Sequence, residues 1–137
     1  MTILGLDIGE KRTGVAISNN ISSLCTPLKY ISSNENFLEK ISKIIDEKKV
    51  EKIIIGLPKL LSGKEGERAK ISRSISNLIK SNHKEIKVIL WDERLTSKQA
   101  EKYLLETIPN KRKIKEKIDS ASAVLILENY LETKGKQ

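Results

Sequence analysis

A mixed five-stranded sheet with helices on both faces, an α/β architecture, fits the patterning of this 137-residue chain. Three observations lead to it. Two early apolar runs are joined too closely to be parallel, the hydrophobic period then changes from two to 3.6, and the later apolar runs alternate with helical segments. The first two runs cover residues 3–8 and 13–18, and Gly9-Glu10-Lys11-Arg12 separates them, with Gly9 and Gly14 at the edges of the turn. A parallel crossover needs a dozen or more residues, so this pair is antiparallel. A third run, residues 24–31, contains Pro27, which confines it to a sheet edge or a strand start.

Ser32 with Glu35 reads as a capping box. Phe37, Leu38, Ile41, Ile44 and Ile45 follow at helical spacing. Residues 52–56 form a buried-type strand that ends at Gly56-Leu57-Pro58, before a loop holding Gly63 and Gly66. Ile71, Ile75, Leu78 and Ile79 predict one apolar face on a second helix, and residues 86–91 predict the last strand. Thr96 with Gln99 caps a third helix carrying Ala100, Tyr103, Leu104 and Ile108, which Pro109-Asn110 stops. A basic loop over residues 111–117 and a helix from about Lys117 to Thr133 complete the chain. The order makes the two later strands parallel to each other in a covered sheet. Chemistry in such sheets sits at the carboxyl ends of the strands, where the strand order reverses. No repeat or linker divides the chain, so residues 1–137 are expected to form one domain.

Composition narrows the chemistry. Leu, Ile, Val and Phe supply 41 of 137 residues, enough for a core. No apolar run approaches the roughly 18 to 20 residues of a membrane span. The first seven residues carry no basic segment and a carboxylate interrupts their apolar run, so no signal peptide is expected, and the expected location is cytoplasmic. One cysteine, Cys25, excludes a disulfide framework within the chain, and one histidine, His83, leaves little room for zinc chemistry or a Ser-His-Asp triad. The balance of 26 basic to 18 acidic residues, net +8, favours a polyanionic partner. Of the basic residues 21 are lysines spread along the chain, and only Lys111-Arg112-Lys113-Ile114-Lys115-Glu116-Lys117 is dense. That run either holds a nucleic-acid backbone or serves solubility.

Three acidic positions carry the functional reading. Asp7 interrupts an apolar strand, where an ionised carboxylate is costly unless it is paired or metal-bound; its plainer role is to cap the following turn. Asp92 and Glu93 end a strand, either as ligands or as a surface turn in which Glu93 pairs with Arg94. Asp119 opens the last helix, where an acid also suits the helix dipole. Two strand-end carboxylates and one at a helix start can converge. An oxygen-only cluster suits Mg2+ or Mn2+, and such ions serve phosphodiester cleavage.

At this point the chain resembles a known family. Leu4-Gly5-Leu6-Asp7-Ile8-Gly9-Glu10-Lys11-Arg12-Thr13-Gly14-Val15-Ala16-Ile17-Ser18, then Ile55-Gly56-Leu57-Pro58 with Gly63, then Asp92-Glu93-Arg94-Leu95-Thr96, then Ile118-Asp119-Ser120-Ala121-Ser122-Ala123 are similar, in order and spacing, to the YqgF (RuvX-type) family. Its members are bacterial RNase H-like proteins described as Holliday-junction resolvases or pre-16S rRNA nucleases. The resemblance implies an RNase H-like fold and catalytic carboxylates at Asp7, Glu93 and Asp119, with Asp92 as the adjacent alternative. It implies a hydrolase, a metal-dependent nuclease acting on precursor rRNA or branched DNA, as a monomer or a homodimer. The chain departs from the family at Asn19, where an Asp is common, and at Leu60, Leu61 and Ser62, where Asn and Asp are common.

The remaining candidates each have a plainer alternative. Lys11, Arg12 and Arg94 either neutralise phosphates or sit in solvated turns and ion pairs. Trp91 either stacks on a base or belongs to the core, and core is the commoner role. His83 is expected at the surface, and Thr96 as a helix cap. Two other functions compete. Asp7-Ile8-Gly9 with Gly14 also resembles the first phosphate loop of actin-like ATPases and sugar kinases, which need two lobes and a much longer chain. A non-catalytic nucleic-acid-binding factor in ribosome assembly or transcription is the other, and it would not need a divalent ion.

Overall fold

The computed structural model describes residues 1–19, 25–60, 62–92 and 111–135, with side chains described for 120–133 of the last segment. Its strands are β1 (Thr2–Ile8), β2 (Arg12–Ser18), β3 (Thr26–Ser32), β4 (Val50–Leu57) and β5 (Lys87–Asp92). Its helices are α1 (Phe37–Lys48), α2 (Glu67–Asn82) and α3 (Lys111–Gly135). The helix expected between Thr96 and Ile108 lies outside the described residues.

The five strands form one sheet in the order β3-β2-β1-β4-β5. β2 is antiparallel to β1 and to β3, whereas β4 is parallel to β1 and to β5. The short Gly9–Lys11 connection forces the first pairing, and Pro27 sits near the start of the edge strand β3, where a missing N–H is tolerated. The strand order reverses between β1 and β4, at the middle of the sheet.

Alternation along the strands divides the core into two layers. Leu4, Leu6, Ile8, Val15, Ile53 and Ile55 face α1 and α2, meeting Phe37, Ile41, Ile45 and Ile79. Ile3, Ala16 and Ile54 face the other way, against Ala123, Ile126, Leu127 and Tyr130 of α3. α3 packs closely on β1 at Gly5. A Cβ there would stand 3.1 Å from both the Ala123 carbonyl oxygen and the Leu127 Cβ.

Several local expectations are corrected. α1 begins after Asn36, which is in the left-handed region (φ 52°) and gives no side-chain cap; Asn tolerates that conformation. Ser32 ends β3 instead of capping a helix, and its hydroxyl accepts from the Asn34 N–H at 3.4 Å. α2 buries Ala69, Ser72, Ser76 and Ile79, whereas Ile71 and Leu78 are 50% and 48% exposed. The basic run over 111–117 is no loop but the first two turns of α3. Lys and Arg are good helix formers, and no Gly or Pro interrupts the segment before Gly135.

Candidate active site at the carboxyl edge of the sheet

β1, β4 and β5 end at the same edge of the sheet, and Asp7 is the next-to-last residue of β1. Its side chain alternates with Leu6 and Ile8, so it lies on the α3 face with Ile3 and Gly5. Asp7 is opposite Gly14 of β2. On its other side, one step beyond the Leu6–Ile55 pair, it stands level with Gly56 of β4. The half-buried carboxylate is thus flanked on both neighbouring strands by residues without side chains. Arg12 shares this face two residues before Gly14, with its guanidinium 4.8 Å above the Tyr30 ring.

α3 runs over the same face of the sheet. The helix crosses β1 with Ala123 and Leu127 over Gly5, and Ser120 anchors it further towards the carboxyl edge. The Ser120 hydroxyl donates to the Leu28 carbonyl at 2.5 Å and accepts from the Val15 N–H at 3.4 Å. Four residues back from Ala123 is Asp119, a climb of about 6 Å along the helix. Two residues on from Gly5 is Asp7, about 7 Å along the strand. Both residues thus lie on the carboxyl-edge side of the contact between Gly5 and Ala123. Asp119 lies two turns inside α3 instead of opening it, so the helix dipole, which acts only over the first turn, does not explain an acid there.

Asp92 is placed differently. β5 sends Ile89 and Trp91 towards the α3 layer and Val88 and Leu90 towards α1 and α2. Asp92, next after Trp91, falls on the side away from Asp7, and its carboxylate is 3.9 Å from Lys59 Nζ. Glu93 and Arg94 lie outside the described residues, as does Thr96. So do the side chains of Lys111, Arg112, Lys113 and Asp119. Among the described residues no three carboxylate, imidazole or thiol groups cluster as a metal site.

A network that the sequence reading missed fixes the turn after Asp7. The Ser33 hydroxyl donates to the Gly9 carbonyl at 2.8 Å, and Ser33 Oγ lies 2.8 Å from Thr13 Oγ1. With the Ser33 proton committed to Gly9, Thr13 donates to Ser33. The Ser33 N–H also reaches the Lys11 carbonyl at 3.0 Å. Arg68, at the start of α2, donates from Nη2 to the Ile8 carbonyl at 3.2 Å. A Cβ on Gly9 would collide with the Arg12 carbonyl oxygen, so only glycine closes this turn. No motif linked Ser33 or Arg68 to Asp7; both partners are distant in sequence.

Trp91 is structural in this arrangement. Its Nε1–H donates to Asn129 Oδ1 at 2.8 Å, and its ring meets Tyr130 edge-on at 5.2 Å, so it docks α3 on β5. His83 is not the surface residue expected. It caps α2, its side chain is 15% exposed, and Nε2 is 2.9 Å from the Ser42 hydroxyl of α1.

An RNase H-like sheet with an acid at the end of its central strand is the fold of a class of nucleases and resolvases. The chain belongs to the RuvX family, described as Holliday junction resolvases, whose sequence model matches residues 1–133. A candidate pre-16S rRNA nuclease of Sulfurihydrogenibium sp. (strain YO3AOP1) is 49% identical over 131 residues, 95% of this chain and 89% of that protein. One from Oceanobacillus iheyensis is 44% identical over 98% of this chain and 100% of its own length. The solved fowlpox virus resolvase, in complex with substrate Holliday junction DNA, superposes with a TM-score of 0.65 at 20% identity, covering 98% of this chain and 99% of that one. That likeness confirms the fold.

Proposed function

We propose that the chain is a metal-dependent nuclease that hydrolyses phosphodiester bonds in structured nucleic acid, with the 5′ end of precursor 16S rRNA as its substrate. The observation that carries this is Asp7, a half-buried acid set between Gly14 and Gly56 at the carboxyl edge of the sheet, on the face that α3 covers. The donor set fits a hard divalent cation, since it offers carboxylate oxygens only. Asp7, Glu93 and Asp119 would hold Mg2+ or Mn2+. When bound, such ions activate water and stabilise the leaving oxygen.

The chain's own residues do the rest. Gly14 and Gly56 leave space beside Asp7 for a phosphate. Lys11, Arg12 and Arg94 offset its charge, and Lys111, Arg112 and Lys113 hold the flanking backbone. Ser33 and Arg68 keep the turn after Asp7 in one conformation. The rRNA reading follows the relatives at 44% and 49% identity. Holliday-junction resolution is the second reading, and the family description favours it.

The test incubates the protein with labelled precursor rRNA, a four-way junction and single-stranded DNA, in Mn2+ and in EDTA. Cleavage of the rRNA in Mn2+ alone, lost in Asp7→Asn with binding retained or tightened, is expected. Binding without cleavage of any substrate would make the protein a non-catalytic binding factor.

A further inference from the structure

Helix α2 is turned against its own composition. It buries Ser72 and Ser76, whose hydroxyls have no hydrogen-bond partner among the described residues, and leaves Ile71 half exposed. Each choice works against stability, so the exposed apolar stripe calls for another explanation.

Part of that stripe has a built surrounding. Ile71 and Ile75 line a cleft of about 580 Å³ with Ile8 on its apolar side and Asn34, Glu67 and Arg68 on its polar side. That volume lies within the range of small-ligand pockets. The cleft opens beside the turn that follows Asp7, and Arg68 ties its wall to the Ile8 carbonyl. Its lining does not suit a phosphate, because the Glu10 and Glu67 carboxylates outnumber the single Arg68 guanidinium and most of the wall is apolar. It does suit a nucleobase. The isoleucines can pack on the flat face of the ring, and an amide, a carboxylate and a guanidinium can meet the donors and acceptors of its edge.

Resting on the nuclease reading above, we infer that this cleft, on the α1–α2 side of the edge, receives an unpaired base of the substrate, across the end of β1 from the phosphate held at Asp7. The substrate class is then nucleic acid with a single-stranded nucleotide beside the scissile bond. In a continuous duplex each base is stacked and paired, and its face cannot reach the isoleucines. The polyanion brought to this edge is the occupant, because the cleft and the catalytic turn share Ile8 and Gly9.

The experiment measures the affinity of the full chain, in EDTA, for three probes. These are a single-stranded RNA of about 12 nucleotides, the same backbone without bases, and a blunt duplex of the same sequence. One well-packed base is worth about a tenfold preference for the intact strand over the abasic one. Ile71→Ser should cut that preference to under about threefold, with affinity for the abasic strand and the duplex unchanged and Tm near the wild-type value. Asn34→Ala should change the ranking among oligonucleotides of single base type. Equal weakening on all three probes, or an unaltered preference in Ile71→Ser, overturns the inference. So does a sedimentation result in which Ile71→Ser dissolves a dimer, for the stripe would then be a subunit interface. Cleavage in Mn2+ is scored separately: its absence in the wild type sinks the nuclease reading, whereas the base preference in EDTA decides the cleft.

Discussion

Replacing Gly9 by alanine strikes the turn that positions Asp7. The new Cβ would overlap the carbonyl oxygen of Arg12, a backbone atom that cannot swing aside as a side chain can. Overpacking of this kind costs about 1–3 kcal/mol. Relief requires the turn to open, which breaks the Ser33–Gly9 hydrogen bond, a further 0.5–1.5 kcal/mol or so. The expected loss is about 2–4 kcal/mol, or roughly 6–15 °C in Tm for a chain of this size. Thermal unfolding measures the first effect, and single-turnover cleavage at saturating RNA measures the displacement of Asp7 and Arg12. Gly66→Ala is the control, because its Cβ would meet only the Leu60 side chain at ordinary contact, 3.7 Å, and should cost under about 1 kcal/mol. Ser33→Ala strands the fully buried Thr13 hydroxyl, at about 1–3 kcal/mol. Since both substitutions release the same turn, the double variant should lose less than the sum. A Gly9→Ala protein with a Tm within about 2 °C of wild type and undiminished cleavage would refute the rigid turn described above.

Other outcomes follow from the same geometry. Glu93→Gln should abolish cleavage and Asp92→Asn should spare it, because Asp92 faces α1 and α2; the reverse result would make Asp92 the ligand. Replacing Lys111, Arg112 and Lys113 by Ala keeps good helix formers in α3. It should weaken binding and flatten the plot of log affinity against log salt by about 0.9 per lost phosphate contact on duplex DNA, with the single-turnover rate nearly unchanged. Cys25 is buried, and burial together with the nearby Glu128 carboxylate pushes its thiol up to about 12, the Ser18 hydrogen bond opposing them. The unfolded thiol ionises first, from about pH 8.5, so stability is full below that pH and falls as pH rises towards 12. Urea midpoints across that range should fall less steeply in Cys25→Ala than in wild type, and parallel curves would show that the thiol does not contribute.

Much of the sheet was legible because its signals are local. The four-residue connection before Thr13, Pro27 in an edge strand and the alternation of later strands with helices each act over a few residues. The misreadings share a cause, which is that burial is decided by partners distant in sequence. The isoleucines and leucines of α2 outweigh its serines in any periodic count, yet Ser72 and Ser76 are buried while Ile71 turns outward. The lysines over 111–117 resembled a solvated connection, although nothing in them breaks a helix. His83 has only polar neighbours in sequence, and its partner Ser42 is on another helix.

The acid positions were legible because a carboxylate inside an apolar strand is costly without a function. Their relative placement was not, because it depends on register. Gly14 and Gly56 flank Asp7 only because β2 and β4 pair with β1 at those levels. The same rule weighs Asp92 against Glu93. Ile54, Ile89 and Trp91 belong to the α3 layer, so alternation gives Asp92 to the side away from Asp7, which leaves Glu93 as the proposed ligand. A slip of one residue between β4 and β5 would exchange the two acids. In the nuclease proposed above, the Gly56–Trp91 and Leu57–Asp92 pairs would therefore decide which acid turns towards Asp7, and Trp91, locked to Asn129 and Tyr130, would hold that register.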